Sequence, residues 1–373
     1  MARWTGCVLL LVASGTALSG CSRRPPPDFR PDPGLVERIR EIHINPALSA
    51  VCPGEVIPTH YQAVLDDGTV LPFERRYDRR NPPALHVVFL GRSSREAVSQ
   101  EDGDWVTDPD PLLSVMTGFR LSVFLRAKPS INAFKVVAPE YSCLRNAFVF
   151  VGPPGDPGQP GGDGPDITVR IGVLGSPFYE RLVVAAIEVG SAPPFFVLAP
   201  ADEVPRADWL VVESRGGRGG RGQDGSPGTA GANGSPGCPG SAGAPGGAGG
   251  NGGAGAPGGR GGRITIIGPE EEPFLAGLVD GRSIGGPGGP GGRGGKGGPG
   301  GKGGEARAAD PNRRCEAGSD GPNGPDGRPG PDGPPGSPGP APQIITVPLR
   351  QVFASPRMPP PIAELLEYSE RAR

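Results

Sequence analysis

Gly216-Gly-Arg-Gly-Gly-Arg-Gly-Gln-Asp-Gly-Ser-Pro227 opens a run in which glycine stands at every third position without a miss as far as Arg263. The same phase returns over 285–305, rich in Gly-Gly-Pro and Gly-Gly-Lys triplets, and over 318–341, where Gly-Pro-Asp-Gly-Pro-Pro occurs. A period of three fits neither the α-helix nor the pleated strand. It fits the left-handed polyproline or polyglycine II helix, with three residues and about 9 Å per turn. One edge of such a helix is bare glycine, where another backbone can approach closely.

These triplets resemble collagen-like Gly-X-Y repeats over roughly a quarter of the chain, and the resemblance implies one of two assemblies. Three chains can wind a triple helix, or one chain can fold its segments back and forth into an antiparallel bundle, as in the glycine-rich insect antifreeze proteins. Short apolar pieces flank the repeats: 209–212 lead in, 264–267 lead out, 278–279 precede the second block and 344–347 follow the last. Extended, 216–263 would carry the chain about 150 Å, yet pieces this short need a shared sheet, so the run has to come back. Cys238 and Cys315 sit near the midpoints, where the returns belong. Cutting there leaves 216–237, 240–263, 285–305 and 318–341, each about 65–75 Å long. Matched lengths favour the intrachain, monomeric bundle over the trimer, as do the Gly-Gly-Ala and Gly-Gly-Asn triplets, which lack the imino acids a triple helix needs. Lys302 would then face Asp320, and Lys296 Asp326, as an exposed charged zipper worth under about 1 kcal/mol per pair.

Residues 1–20 carry one early positive charge, Arg3, then the apolar run Val8-Leu9-Leu10-Leu11-Val12-Ala13 and finally Leu18-Ser19-Gly20-Cys21, which reads as a signal peptide. Leu-Ser-Gly-Cys resembles the bacterial lipobox. The resemblance implies cleavage before Cys21, a diacylglyceryl thioether on its sulfur and acylation of its new amino group. Two or more such palmitate-type chains anchor stably where one does not. Ser22, in place of aspartate, resembles lipoproteins sent to the outer membrane, so the partners implied are the membrane and the cell envelope. No other stretch approaches the ~20 apolar residues of a membrane span. Residues 21–35 are proline-rich and read as a stiff tether.

The chain holds 66 Gly and 50 Pro in 373 residues, outside ordinary globular composition. Its formal charge of -2 argues against a dedicated nucleic-acid binder. Of six cysteines, Cys7 leaves with the signal and Cys21 takes lipid. In an oxidising compartment the remaining four read as disulfides Cys52–Cys143 and Cys238–Cys315, one of three connectivities that four cysteines allow.

Residues 36–151 show short β-type runs with a hairpin signal at Asp66-Asp67-Gly68 and predict a β-sandwich. The stretch from His43-Ile44-Asn45-Pro46 through Val51-Cys52-Pro53-Gly54-Glu55 to Thr69-Val70 resembles bacterial immunoglobulin-like domains, which implies a spacer or binding module. Residues 152–166 carry five triplets in another phase and read as a linker or a short extra edge of the bundle. A second small β-domain is predicted over 167–213, completed by 264–284 and 342–358. Over 359–373 the spacing of Ile362, Leu365, Leu366 and Tyr368 predicts a short helix. The fold class is therefore an all-β sandwich plus a small β-domain carrying Gly-X-Y segments.

The three histidines, His43, His60 and His86, lie in predicted strands. No nucleophile elbow, zinc-protease motif or phosphate-binding loop is present, so neither an enzyme nor a cofactor is expected. Asp102, Asp104 and Asp108, with Glu101 and Asp110 around Trp105, supply oxygens of the kind Ca2+ takes, but their spacing departs from the EF-hand, and a solvated loop is the simpler reading. Arg215, Arg218 and Arg221 fall on one edge of a three-per-turn helix, and Arg260 and Arg263 return to the same root. Together they could hold a lipopolysaccharide phosphate or an acidic polysaccharide through forked hydrogen bonds; solvated charge is again simpler. Ice binding, which the antifreeze resemblance raises, would need regular Thr or Ala rows. The reading that absorbs every segment is a non-enzymatic envelope lipoprotein with a structural, spacer or adhesive role; its alternative is a polysaccharide- or surface-binding module using the basic stripe.

Overall fold

The computed structural model describes residues 24–205, 207–307 and 314–371. It is mostly β, and it divides into two compact units: 24–108 with 119–137, and 109–118 with the described residues from 138 onward.

The first unit is built from β1 (Ile39–Pro46), β2 (Ala50–Val51), β3 (Val56–Ile57), β4 (Thr59–Leu65), β5 (Val70–Pro72), β6 (Leu90–Ser93), β7 (Ala97–Ser99), β8 (Trp105–Thr107), β9 (Phe119–Leu125) and most of β10 (Lys128–Pro139). Burial alternates residue by residue along β4 and β9, the period-two signature of strands with one face in a core. β1, β4 and β5 pair antiparallel in that order, and β10, β9 and β6 likewise. Gly68 takes φ +81° between β4 and β5, the left-handed turn that its Asp-Asp-Gly signal predicts. Trp105, Tyr61, Phe119 and Ile57 are fully buried, and the Tyr61 hydroxyl accepts from Trp105 Nε1 at 2.8 Å. The proline-rich stretch is not a free tether over its described part. Phe29 packs on Tyr77 and Phe89, with centroids 4.9 and 4.8 Å apart, and Asp32 caps helix Pro33–Arg38.

The second unit holds β11 (Ala147–Val151), β12 (Ile167–Leu174), β13 (Leu182–Val189), β14 (Phe195–Pro200), β15 (Leu210–Arg215), β16 (Ile264–Pro269), β17 (Val279–Ile284) and β18 (Gln343–Val347). β11, which the sequence reading assigned to the first sandwich, pairs in parallel with β15 and so belongs here. One sheet runs β11-β15-β17, all parallel; the other runs β14-β13-β12-β16-β18, with β12, β16 and β18 parallel. Their facing side chains, among them Ile167, Val169, Ile187, Leu210, Val212, Ile264 and Ile266, form one core. The outer face of the larger sheet is covered by helix Pro360–Arg371 through Ile362 and Leu365, with Val352, Phe353 and Tyr141 beside them. β13 is consequently buried on both faces.

Both sheets continue directly into the glycine segments. In one layer β15 runs into the first segment (216–237) and β17 into the third (285–305); in the other, the second (240–263) runs into β16 and the fourth (318–341) into β18. Every third amide of the first segment, from Gly216 to Gly237, donates to a carbonyl of the third, from Ile284 to Glu305, at 2.8–3.1 Å. Arg215 stands opposite Ile284 at the end of the sheet, and the next bond, from Gly216 N–H to the Ile284 carbonyl, keeps that step. The second segment donates to the fourth in the same parallel manner. Antiparallel bonds tie the layers together: second to first from Ser241–Ser235 to Gly259–Gly217, third to second from Gly286–Gly259 to Gly304–Ser241, and fourth to third from Gly318–Gly304 to Gly336–Gly286.

Residues 152–166 are more than a connector. Gly152, Gly155 and Gly158 donate to Arg215, Arg218 and Arg221; the chain turns at Gly158, and Gly161, Gly164 and Ile167 donate to Pro257, Arg260 and Arg263. The hairpin thereby adds a short strand to each layer. Its length can be read in the first segment. A Cβ on Gly217 or Gly220 would run into the carbonyl of Pro153 or Asp156, whereas past the hairpin tip the equivalent positions hold Gln223, Ser226, Thr229, Ala232 and Ser235, all exposed. The third segment, flanked by the first, second and fourth, keeps two glycines in every triplet.

Candidate functional site

The remaining residue of each triplet faces outward, and its amide has no neighbouring backbone to meet. An unmet amide is costly when shielded and is usually paired. Two devices remove the problem. Pro287, Pro290 and Pro299 have no N–H to satisfy. Where the third segment carries Arg293 and Lys302 instead, their amides donate to Asp224 Oδ1 (2.7 Å) and Asn233 Oδ1 (2.9 Å) of the first segment. The opposite layer repeats the device: Asn251 receives Arg328 N–H, and Asp163 and Asp166 receive Arg260 and Arg263 N–H.

The expected lysine–aspartate zipper takes a different form. The pairing of the third and fourth segments holds, but Asp320 and Asp326 accept from the backbone amides of Gly303 and Gly297, each at 2.7 Å. A short aspartate reaches the adjacent backbone more readily than the end of a long lysine, so the carboxylates serve the amides, and no ion pair joins them to Lys302 or Lys296 among the described residues.

The same bonds locate the cations. Asp224 and Asn233 link the outward rows of the first and third segments, so Arg215, Arg218, Arg221, Arg293, Lys296 and Lys302 emerge from one face. Arg260 and Arg263, on the second segment, emerge from the other layer. The five arginines singled out in sequence are thus divided three and two. Arg215 pairs with Glu213 (2.6 Å) and Arg221 with Asp224 (2.8 Å). The Arg218, Arg293, Lys296 and Lys302 side chains are exposed, with no ion-pair partner among the described residues. Sequence reasoning places Lys296 and Lys302 opposite Asp326 and Asp320 rather than beside the arginine row, because they and Arg293 lie 70 residues or more from Arg221; only the shared phase of the two segments hinted at their alignment.

The acidic loop is occupied by structural work. Asp104 accepts from Thr59 N–H (2.9 Å) and Arg75 (2.7 Å), and Asp102 accepts from Asp104 N–H. Asp108 N–H donates to the Glu96 carbonyl. No His, Cys, Asp and Glu group able to hold a metal is found among the described residues. The Asp104 carboxylate thus accepts three hydrogen bonds, one from the Thr59 amide and two from Arg75. His86 is buried rather than poised: burial pulls its pKa down, and its Nδ1 accepts from Val88 N–H.

Cys238 and Cys315 form a disulfide at the far end of the glycine layers, and Cys52 and Cys143 are also disulfide-bonded. Cys21 lies outside the described residues. A cleft of about 900 Å³ opens between strand ends of the second unit, lined by Val173, Val183, Ala201, Phe274 and Leu278. At its rim Arg181 pairs with Glu272 (2.6 Å), and burial, then Glu140, Glu203 and Asp202, pushes the Tyr179 hydroxyl up to about 12. Compared with known proteins, the chain matches no family model, no curated protein and no solved structure.

Proposed function

We propose that this protein is a lipid-anchored component of a bacterial cell envelope, non-enzymatic, in which polyglycine II helices of a single chain form a rigid peg of structural, spacer or adhesive use. What supports the reading is the closure of the backbone bonding. The glycine amides of the interior segments meet a neighbouring carbonyl, and the outward ones are deleted by proline or capped by aspartate and asparagine at many turns. Eight turns of about 9 Å give a peg of about 70 Å, stiffened on all sides and continuous with two sheets. The lipobox-like Leu-Ser-Gly-Cys supplies the anchor, and Ser22 the outer-membrane address.

Two measurements test this. Intact mass of the mature protein should carry diacylglycerol and acyl groups on Cys21, and Cys21→Ala should move the protein from membrane to soluble fraction. Small-angle scattering of the protein in detergent should return a monomer with a projection of about 70 Å. A three-chain rod, or unmodified Cys21, contradicts the proposal.

A further inference from the structure

The outward face of the layer formed by the first and third segments is a track of positive charge that neither segment forms alone. Ascending from the sheets, the adjacent rows read Arg215, Arg218, Arg221, Asp224 on the first segment and Arg293, Lys296, Pro299, Lys302 on the third. Asp224 lies level with Arg293, and Asn233 with Lys302, as their bonds to those amides establish. The cations therefore cross diagonally from one row to the next and continue towards the tip, one outward position every three residues, or about 9 Å.

The carboxylates near this track are largely committed. Asp224 holds Arg221 and the Arg293 amide. Asp320, Asp326 and Asp332 of the fourth segment each spend an oxygen on Gly303, Gly297 and Gly291 N–H. Glu305 stands at the tip beside Arg307. Four cations thus remain on a rigid surface with their side chains in water. Holding like charges in line on a stiff backbone is unfavourable in the isolated protein, and a polymer of opposite charge relieves it. The opposite face carries fewer cations along its length: above Arg260 the second segment's outward row reads Pro257, Ala254, Asn251, Ala248, Pro245 and Ala242, all exposed, and the adjacent fourth segment adds only Arg328, whose amide donates to Asn251.

We propose that this face binds a linear acidic polysaccharide with one carboxylate per two-ring repeat, laid along the peg. A two-ring repeat is close in length to one turn of the helices, so carboxylates at that step meet Arg293 and Lys296 one turn apart and reach Arg218 and Lys302 two turns further on either side. Phosphates on each strand of a nucleic-acid duplex recur every ~3.4 Å of helix axis and do not match that step. The proposal adds a ligand to the structural role and does not depend on the lipid anchor.

The test is binding of full-length protein in detergent to immobilised hyaluronan, with a duplex oligonucleotide as the second surface, at several salt concentrations. Wild type should bind hyaluronan more tightly than the oligonucleotide, with affinity falling as salt rises. The triple variant Arg293→Gln, Lys296→Gln, Lys302→Gln should lose about tenfold or more, three exposed charges being removed together. Arg260→Gln with Arg263→Gln, on the opposite face, should stay within about twofold. All five side chains are exposed and make no ion pair among the described residues, so circular dichroism should be unchanged in both variants. No hyaluronan binding at low salt, equal losses in the two variants, or preference for the oligonucleotide overturns the proposal. An unlipidated Cys21 would leave this result standing while defeating the anchor.

Discussion

Replacing Gly295 by alanine tests the layered packing at one atom. The new Cβ would stand 2.0 Å from the Ser226 carbonyl oxygen and 2.6 Å from its carbon, against the 3.5 Å or so of an ordinary contact. The first and third segments would have to part locally by about 1.5 Å. That distance is enough to break Gly225 N–H to Arg293 O and Gly228 N–H to Lys296 O, both 2.8 Å, and to strain Gly295 N–H to Gly250 O. Two or three bonds at about 1 kcal/mol each, with an overpacking cost of about 1–3 kcal/mol, give about 3–6 kcal/mol. Stiffening of the unfolded chain returns less than about 1 kcal/mol. Gly253→Ala is the matched control, since its nearest neighbour is Gln223 N at 3.3 Å, and it should cost under about 1 kcal/mol. For a unit of this size 1 kcal/mol moves Tm by about 2–4 °C. Calorimetry should therefore show Gly295→Ala lower by about 4–24 °C and Gly253→Ala nearly unchanged. Both glycines are the second residue of their triplets, a position that a collagen triple helix leaves exposed. Equal Tm values for the two variants would refute the layered reasoning and return the trimer.

Breaking the tip disulfide should cost about 4.5 kcal/mol by chain entropy for a 77-residue separation; an unchanged Tm for the Cys238→Ser, Cys315→Ser variant would contradict its role as a clamp. Asn233→Ala uncaps the exposed Lys302 amide and should lower stability by under about 1 kcal/mol, read as faster hydrogen exchange at Lys302 and its neighbours; exchange unaltered there removes the capping argument. Tyr179 is held neutral to about pH 12, while an unfolded tyrosine ionises near 10. The unfolded chain thus releases its proton first, and stability falls as pH rises from about 10 towards 12. The slope of Tm against pH in that window should be shallower in Tyr179→Phe; an identical slope would exclude Tyr179 as a cause.

Much of the second unit was readable because its rules are local. A triplet period names its own helix type, and the alternation in Ile264-Thr265-Ile266 names a strand without reference to anything distant. The Cys238–Cys315 pairing followed from segment lengths. Other features depended on partners that the sequence places far away. Residues 147–151 read as the last strand of the first sandwich because they follow it; their partner, 210–215, lies some 60 residues on. Phe29 sits in a stretch too rich in proline to fold alone and is ordered by Tyr77 and Phe89. The cleft beneath Phe274 draws its lining from several separated segments.

The division follows from the physics of the repeat. Composition and period by themselves predict glycine-faced three-residue helices within 216–341, because steric limits on a backbone are set residue by residue. Which helices become neighbours is set by the two sheets, whose parallel registers run unbroken from β15 and β17 into the bundle. Only that arrangement decided that Asp320 serves an amide rather than a lysine, and that Arg260 and Arg263 face away from Arg218. Hydrogen bonds and charge act over a few ångströms in space, and proximity in space is what the third dimension supplies.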